Sequence, residues 1–197
     1  MVHKNIFIRT HAHLLEMSVA VIIGRFQPPH LGHVYMIKRL LVQYKDIYIF
    51  VPSYRKQTSA NPLKGKEVKL LLFATLKDAH IDINRVHVTL VRAPKKFQEH
   101  PLEFTVLKIR TNVKEPFIIF TGNNVLYRTL RENGINVIYF KRVKIKGNNI
   151  SGSLIRKKIA QEDDDWKHLL SPRTVLLIKR IGLDKRIKNL MRAIGEA

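Results

Sequence analysis

The sequence predicts an α/β protein, a five-stranded parallel sheet wound on both faces into three layers and followed by a helical C-terminal part. Three observations predict it. Short runs rich in Val, Ile, Phe and Tyr alternate with stretches of helical periodicity between residues 19 and 140. Beyond residue 140 the pattern turns helical. The chain has 197 residues, 45% hydrophobic and 26% charged, which suits one globular domain with an appendage.

The strand-like runs are 19–23, 46–51, 86–91, 116–120 and 136–140. They are short and rich in Val, Ile, Phe and Tyr, as strands buried on both faces should be. Between them lie helical stretches at 31–44, 64–77, 102–111 and 123–133. In the second, Val68, Leu71, Leu72 and Thr75 fall on one face. Gly134 stands where a left-handed residue closes the fourth. Strands alternating with helices imply βαβ units, whose right-handed crossovers cover both faces of a parallel sheet. Ligands then bind beyond the carboxyl ends of the strands. Helices are predicted at 151–160, 172–181 and 184–194, the second opened by Ser171-Pro172. Trp166, Leu169 and Leu170 read as packing residues. Residues 1–17 do not join this pattern. They read as an N-terminal extension to a domain spanning 18–197, with the helical region at about 151–197, and Met17 is a candidate natural start.

No apolar run approaches the roughly 20 residues of a membrane span, and the first residues lack the apolar core of a secretory signal. Cysteine is absent, which excludes disulfides and thiolate metal sites. A cytoplasmic protein is the default expectation. Thirty-six Lys and Arg against 15 acidic residues give a net charge of +21. Such an excess suits a polyanionic partner, nucleotide or nucleic acid, but the basic residues are spread along the chain and need not form one binding surface. No RNA-recognition signature accompanies them.

The first strand runs directly into Gly24-Arg-Phe-Gln-Pro-Pro-His-Leu-Gly-His33. Gly24 permits close backbone approach to a ligand at the strand end. Pro28 and Pro29 stiffen the turn and delay the helix to about residue 30. His30 and His33 then lie one turn apart at a helix N-terminus, where free N–H groups attract phosphate. Each imidazole can donate to a phosphate oxygen, and a nearby phosphate favours its protonated form. A zinc site would want a third ligand, and none has suitable spacing. The run is neither a Walker loop nor Gly-x-Gly-x-x-Gly. A second candidate anion site is Ile150-Ser-Gly-Ser-Leu-Ile-Arg156, where Ser151 reads as an N-cap, Ser153 adds a hydroxyl, and Arg156 follows one turn on. A third is Thr121-Gly122-Asn123 at the end of the fourth strand, where Asn123 either caps the next helix or bonds a ligand.

Gly24-x-x-x-Pro28-x-His30-x-x-His33 resembles the signature of the nucleotidyltransferase superfamily. The segment from Ser151 to Arg156 resembles its second signature, with Ser153 where Thr is usual. More narrowly, residues 19–190 resemble archaeal-type nicotinamide-mononucleotide adenylyltransferases. Besides the first motif, Thr121 to Asn124, Ser151 to Leu170 and Asp184 to Leu190 carry that likeness. The resemblance implies a Rossmann-like nucleotidyltransferase fold and adenylyl transfer from ATP to nicotinamide mononucleotide, yielding NAD and pyrophosphate. It implies His30, His33 and Arg156 as the catalytic groups. Gly24, Arg25, Phe26, Gln27, Pro28, Gly122, Asn123, Ile150, Ser151 and Ser153 would join them around ATP. Mg²⁺ would be held mainly by ATP phosphates, and the protein would form a homo-oligomer, a hexamer by the same resemblance.

The acceptor half departs from the family pattern. Ala60 precedes Asn61-Pro62, where an Arg is usual, leaving Arg55 or Lys56 to replace that charge. The stretch from Ala93 to Phe104 has no Trp. Phe97 or Phe104 is then the candidate to stack on the acceptor ring, with Asn123, Gln98, Glu99 or His100 adding polar contacts. Two alternatives stand beside this reading. One is a sister adenylyltransferase acting on phosphopantetheine, a flavin nucleotide or glycerol phosphate. The other is a basic nucleic-acid-binding protein with a degenerate nucleotide site.

Overall fold

A computed structural model describes residues 19–94, 101–141, 144–145 and 148–195. The expected extension at 1–17 and the candidates Phe97, Gln98, Glu99 and His100 lie outside the described residues.

Five parallel strands form the sheet: β1 (Val19–Ile23), β2 (Ile47–Pro52), β3 (Val86–Val91), β4 (Phe117–Thr121) and β5 (Val137–Tyr139), in the order β3-β2-β1-β4-β5. All five expected strands are present, within one or two residues of the expected bounds. The central strand, Val-Ala-Val-Ile-Ile, is buried at every position. Alternate side chains of β1 serve opposite faces. Ala20 and Ile22 join the core formed with α1 (Leu31–Gln43) and α2 (Gly65–Asp78). Val19, Val21 and Ile23 join the core formed with α3 (Pro101–Asn112) and α4 (Asn124–Glu132). The chain thus winds from β1 through β2 to β3 on one face, returns to β4 beside β1, and continues to β5 on the other. The crevice for a ligand opens at that reversal, beyond the ends of β1 and β4.

Local chemistry sets the helix ends. Arg85 donates to the carbonyls of Leu41, Tyr44 and Lys45 at 2.7–3.0 Å and so satisfies the C-terminus of α1. Lys64 N–H donates to Glu67 at 2.8 Å at the start of α2. Gly134, at φ +69°, closes α4 as expected, and Ile135 N–H reaches the Leu130 carbonyl.

Past the sheet, the short antiparallel pair β6 (Lys144–Ile145) and β7 (Asn148–Asn149) precedes α5 (Gly152–Ala160), α6 (Pro172–Arg180) and α7 (Leu183–Arg192). The pair was not foreseen, because two-residue strands carry no periodicity. Ile155, Ile159, Trp166, Leu170, Ile178, Leu183 and Ile187 enter the same core as α1 and α2. A buried hydroxyl chain ties α6 to α2, with Thr75 and Thr174 at 2.7 Å and Ser171 and Thr174 at 2.9 Å. Arg186 on α7 grips Glu67 in a fork, at 2.7 and 3.0 Å, and donates to the Pro62 carbonyl at 3.1 Å. Burial pushes the Glu67 carboxyl up, but its bonds to Arg186 and to Lys64 N–H outweigh this and hold it below the usual range.

Candidate active site

The turn after β1 is built around Phe26, which adopts the left-handed conformation at φ +51° and is 2% exposed. Its ring lies beneath Gly24. A Cβ on Gly24 would stand 2.8 Å from the Phe26 ring, so this glycine first serves the turn's own packing. Gln27 then pins the turn to the β2–α2 loop. Its amide donates to the Leu63 carbonyl at 3.2 Å and accepts from Leu63 N–H at 2.8 Å. Pro28 is buried and does not line the cavity.

His30 caps α1 with extended backbone, and its ring stacks on His33 with centroids 3.6 Å apart. The Phe26 ring also packs against His33, tilted, with centroids 4.4 Å apart. His33 Nδ1 accepts from His30 N–H at 3.1 Å, which leaves the proton of the neutral ring on Nε2. Burial holds the His33 pKa well below its ordinary value, and the charge of His30 adds to this. The sequence expectation of a protonated imidazole is therefore refined for the ligand-free protein. A backbone N–H occupies one ring nitrogen, and desolvation opposes a second proton. His33 is a neutral donor through Nε2.

The second motif is docked onto the first. Ser151 caps α5 as expected, its Oγ accepting from Leu154 N–H at 3.1 Å. Arg156 is 6% exposed, donates through Nη1 to the Gln27 carbonyl at 2.7 Å, and through Nη2 to Ser153 Oγ at 3.3 Å. Gly152 makes the contact possible, since a Cβ there would lie 2.6 Å from the Gln27 carbonyl oxygen. Ile150 touches the α1 tip as well, 3.7 Å from where a Cβ on Gly32 would be. Two segments 129 residues apart therefore form one wall.

The cavity between these tips and the strand ends has a volume of about 800 Å³, within the usual range for small-molecule sites. Gly24, Arg25, Phe26, Gln27, His30, His33, Gly122, Asn123, Ile150, Ser151, Ser153 and Arg156 all line it. Asn123 acts as the N-cap of α4, its Oδ1 accepting from Val125 and Leu126 N–H at 3.0 and 3.3 Å, so a ligand contact falls to its amide NH₂. Phe104 does not line the cavity. It sits in the core under α3, with Lys108 over its ring at 5.6 Å.

Sequence reasoning passed over Ser53 and Tyr54 after β2, Arg92 after β3, Thr105 on α3 and Lys141 after β5, all of which line the same cavity. Apart from Thr105, their shared signal is position, since each follows the carboxyl end of a strand. Arg55 also lines the cavity. Arg25 Nη1 stands 3.5 Å from Asn61 Oδ1 and so brings a guanidinium to the loop that carries Ala60 and Asn61. No Asp or Glu lines the cavity among the described residues, and those residues contain no group of three or more His, Asp or Glu that could hold a metal. A divalent cation fits such a site when it arrives on a nucleotide's phosphates.

The cytidylyltransferase-like family matches residues 21–158. A nicotinamide-nucleotide adenylyltransferase of Pyrobaculum aerophilum is 30% identical over 183 residues, covering 92% of this chain and 97% of that protein. Nicotinamide-nucleotide adenylyltransferase 1 of Sulfolobus acidocaldarius is 28% identical over 87% of this chain and 94% of that protein. Among solved structures, a bifunctional NMN adenylyltransferase/ADP ribose pyrophosphatase of Francisella tularensis, complexed with AMP and manganese, matches with a TM-score of 0.64 and 22% identity. The match covers 91% of this chain and 54% of that one, so this chain spans about half its length. Plasmodium falciparum nicotinic acid mononucleotide adenylyltransferase, complexed with NaAD, matches with a TM-score of 0.56 and 13% identity over 86% of this chain and 98% of that one. At these identities the structural likeness is one of fold.

Proposed function

The chain belongs to the cytidylyltransferase-like family, and from that membership and its cavity we propose that it joins the adenylyl group of ATP to nicotinamide mononucleotide, giving NAD and pyrophosphate. The observation that carries this reading is the bond from Arg156 to the Gln27 carbonyl, at 2.7 Å, which holds the imidazole tip of α1 and the hydroxyl tip of α5 against one cavity.

In the proposed reaction, a phosphate oxygen of the acceptor attacks the α-phosphorus of ATP in line. The bond from the α-phosphorus to the bridging oxygen breaks, and pyrophosphate leaves with that electron pair. The protein's work is positioning and charge stabilisation. His33 donates from Nε2 to an α-phosphate oxygen, and His30 stacks against it and fixes its plane. The N-terminus of α5, with Ser151 and Ser153, faces the β- and γ-phosphates. Arg156 keeps its charge beside them while its bonds to Gln27 and Ser153 hold the two tips in register. Arg25 assists from the rim. Gly122 and Asn123 border the adenosine side, beyond β4. Mg²⁺ carried on ATP would neutralise phosphate charge, since no carboxylate lines the cavity among the described residues. By the same family resemblance we propose a homo-oligomer, a hexamer, and by composition a cytoplasmic protein. No helix among the described residues is long and apolar enough to cross a membrane.

The test is incubation with Mg-ATP and nicotinamide mononucleotide, reading pyrophosphate release and product mass. A dinucleotide of the mass of NAD is expected. ATP consumed only with phosphopantetheine, a flavin nucleotide or glycerol phosphate would move the assignment to a sister enzyme. No pyrophosphate with any acceptor would overturn it.

A further inference from the structure

The turn after β1 leans on two consecutive peptide groups of the β2–α2 loop, and each of these is held from two sides. In the peptide between Pro62 and Leu63, the N–H donates to Gln27 Oε1 at 2.8 Å and the carbonyl accepts from Arg186 Nη1 at 3.1 Å. In the peptide between Leu63 and Lys64, the carbonyl accepts from Gln27 Nε2 at 3.2 Å and the N–H donates to Glu67 Oε2 at 2.8 Å. Arg186 closes the figure, because its fork binds both oxygens of Glu67, at 2.7 and 3.0 Å. A peptide group is planar, so fixing its carbonyl also fixes the direction of its N–H. The position of the Gln27 amide on one side therefore depends on the Arg186–Glu67 pair on the other.

Gln27 is the residue on which the cavity wall turns. Its side chain is engaged with Leu63, its carbonyl receives Arg156 Nη1 at 2.7 Å, and the chain runs from it through two prolines to His30. Leu63 is 1% exposed and Gln27 4%, so water has little access to replace a lost bond. Arg186 itself does not line the cavity. We propose that Arg186 is a positioning residue for the transfer, setting Gln27 through Glu67 and the Leu63 backbone, and with it the register between Arg156 and the imidazole tip. This rests on the adenylyl-transfer reading and adds a residue to it. The rival is a clamp that only fastens α7 to α2, whose loss would cost stability and nothing else. Lys188, two residues further along α7, supplies the comparison. It pairs with Glu162 at 2.6 Å, and neither residue lines the cavity.

The experiment measures kcat with Mg-ATP and nicotinamide mononucleotide, per folded molecule, in the wild type, Arg186→Met, Arg186→Lys and Lys188→Met. It then repeats Arg186→Met in a Gln27→Met background. That second change removes the amide link to Leu63 but keeps the backbone carbonyl for Arg156. Arg186→Met should lower kcat about ten-fold, as a slight misplacement of reacting groups does. Arg186→Lys keeps one prong of the fork and should lose about three-fold. Lys188→Met should leave kcat unchanged. With Gln27→Met already present, Arg186→Met should change kcat by less than about two-fold, because the path between them is already cut. A lowered melting temperature with wild-type kcat in Arg186→Met overturns the inference in favour of the plain clamp. The full loss repeated on top of Gln27→Met overturns it as well, since the effect would then bypass Gln27. Should Arg186→Met fail to fold, Arg186→Lys carries the same cycle, and wild-type kcat in it is equally fatal. All of these outcomes leave adenylyl transfer intact. No pyrophosphate from the wild type overturns the proposed function and this inference together.

Discussion

The half of the cavity that we propose holds phosphate and the half that we propose holds the acceptor are built differently. In the first, nearly every wall residue is anchored by something else in the fold. Gln27 holds Leu63, Arg156 holds Gln27, His30 N–H holds His33, and Ser151 caps its own helix. In the second, Tyr54, Arg55 and Arg92 project from strand ends as exposed side chains. Phosphate is a compact anion of fixed shape, and charge developing on it is stabilised best by donors that need not move. Acceptor recognition by exposed side chains asks less of the scaffold. Damage to the first half should therefore appear in kcat and stability, and damage to the second in KM and choice of acceptor.

The largest effect is expected from His33→Ala. It removes the neutral Nε2 donor and should lower turnover about a hundred- to thousand-fold, the usual cost of about 3–4 kcal/mol for one transition-state donor. The circular dichroism spectrum should be retained. Near-normal pyrophosphate release would separate the imidazole tip from the chemistry.

Gly152→Ala comes next. The added Cβ would lie 2.6 Å from the Gln27 carbonyl oxygen, a backbone atom that cannot swing aside, so the tip of α5 must withdraw. The steric cost should be about 1–3 kcal/mol in denaturant unfolding. Misplacement of Arg156 should lower kcat on the order of ten-fold. Wild-type stability and kcat would show that the two tips work without their contact.

Arg55→Gln probes the other half. KM for the mononucleotide should rise about three- to ten-fold with kcat retained, as when binding common to ground and transition states is removed. Stability should change by less than about 0.5 kcal/mol. A fall in kcat with unchanged KM would place Arg55 on the transferring phosphorus.

The smallest effect concerns pH. The folded pKa of His33 lies below its unfolded value, so the unfolded chain takes up the proton first as pH falls below about 6.5. Stability should be complete above that point and decline between it and the lower folded value. Melting temperatures from pH 7 to 5 should drop more steeply for the wild type than for His33→Asn. Parallel curves would mean that the ring titrates as it does in solution.

Legibility in the sequence follows the same division. The sheet was readable because its strands are runs rich in apolar residues, unbroken in the fully buried Val19–Ile23 and nearly so in the mostly buried Ile47–Pro52. The motifs proposed to face phosphate were readable because a strand end, a proline-stiffened turn and a helix N-terminus impose local spacing on Gly24, His30 and His33. Ser151 and Asn123 were recognisable as caps for the same reason. Phe104 misled because an aromatic residue one turn into a helix has the same pattern whether it faces a ligand or the core, and here it packs in the core under α3. Arg92 and Lys141 were overlooked because a lone cation after a strand looks like any solvated surface charge.

The order of the elements, the winding of the chain and the two anion-seeking helix starts were thus determined by the sequence alone, since each is written in neighbouring residues through periodicity and capping. Tertiary structure alone decided that Arg156 meets the Gln27 carbonyl, that Gly152 and Gly24 are needed for close packing at the cavity wall, and that burial lowers the His33 pKa. These depend on which atoms converge from distant segments and how much water they exclude, and no local pattern records either.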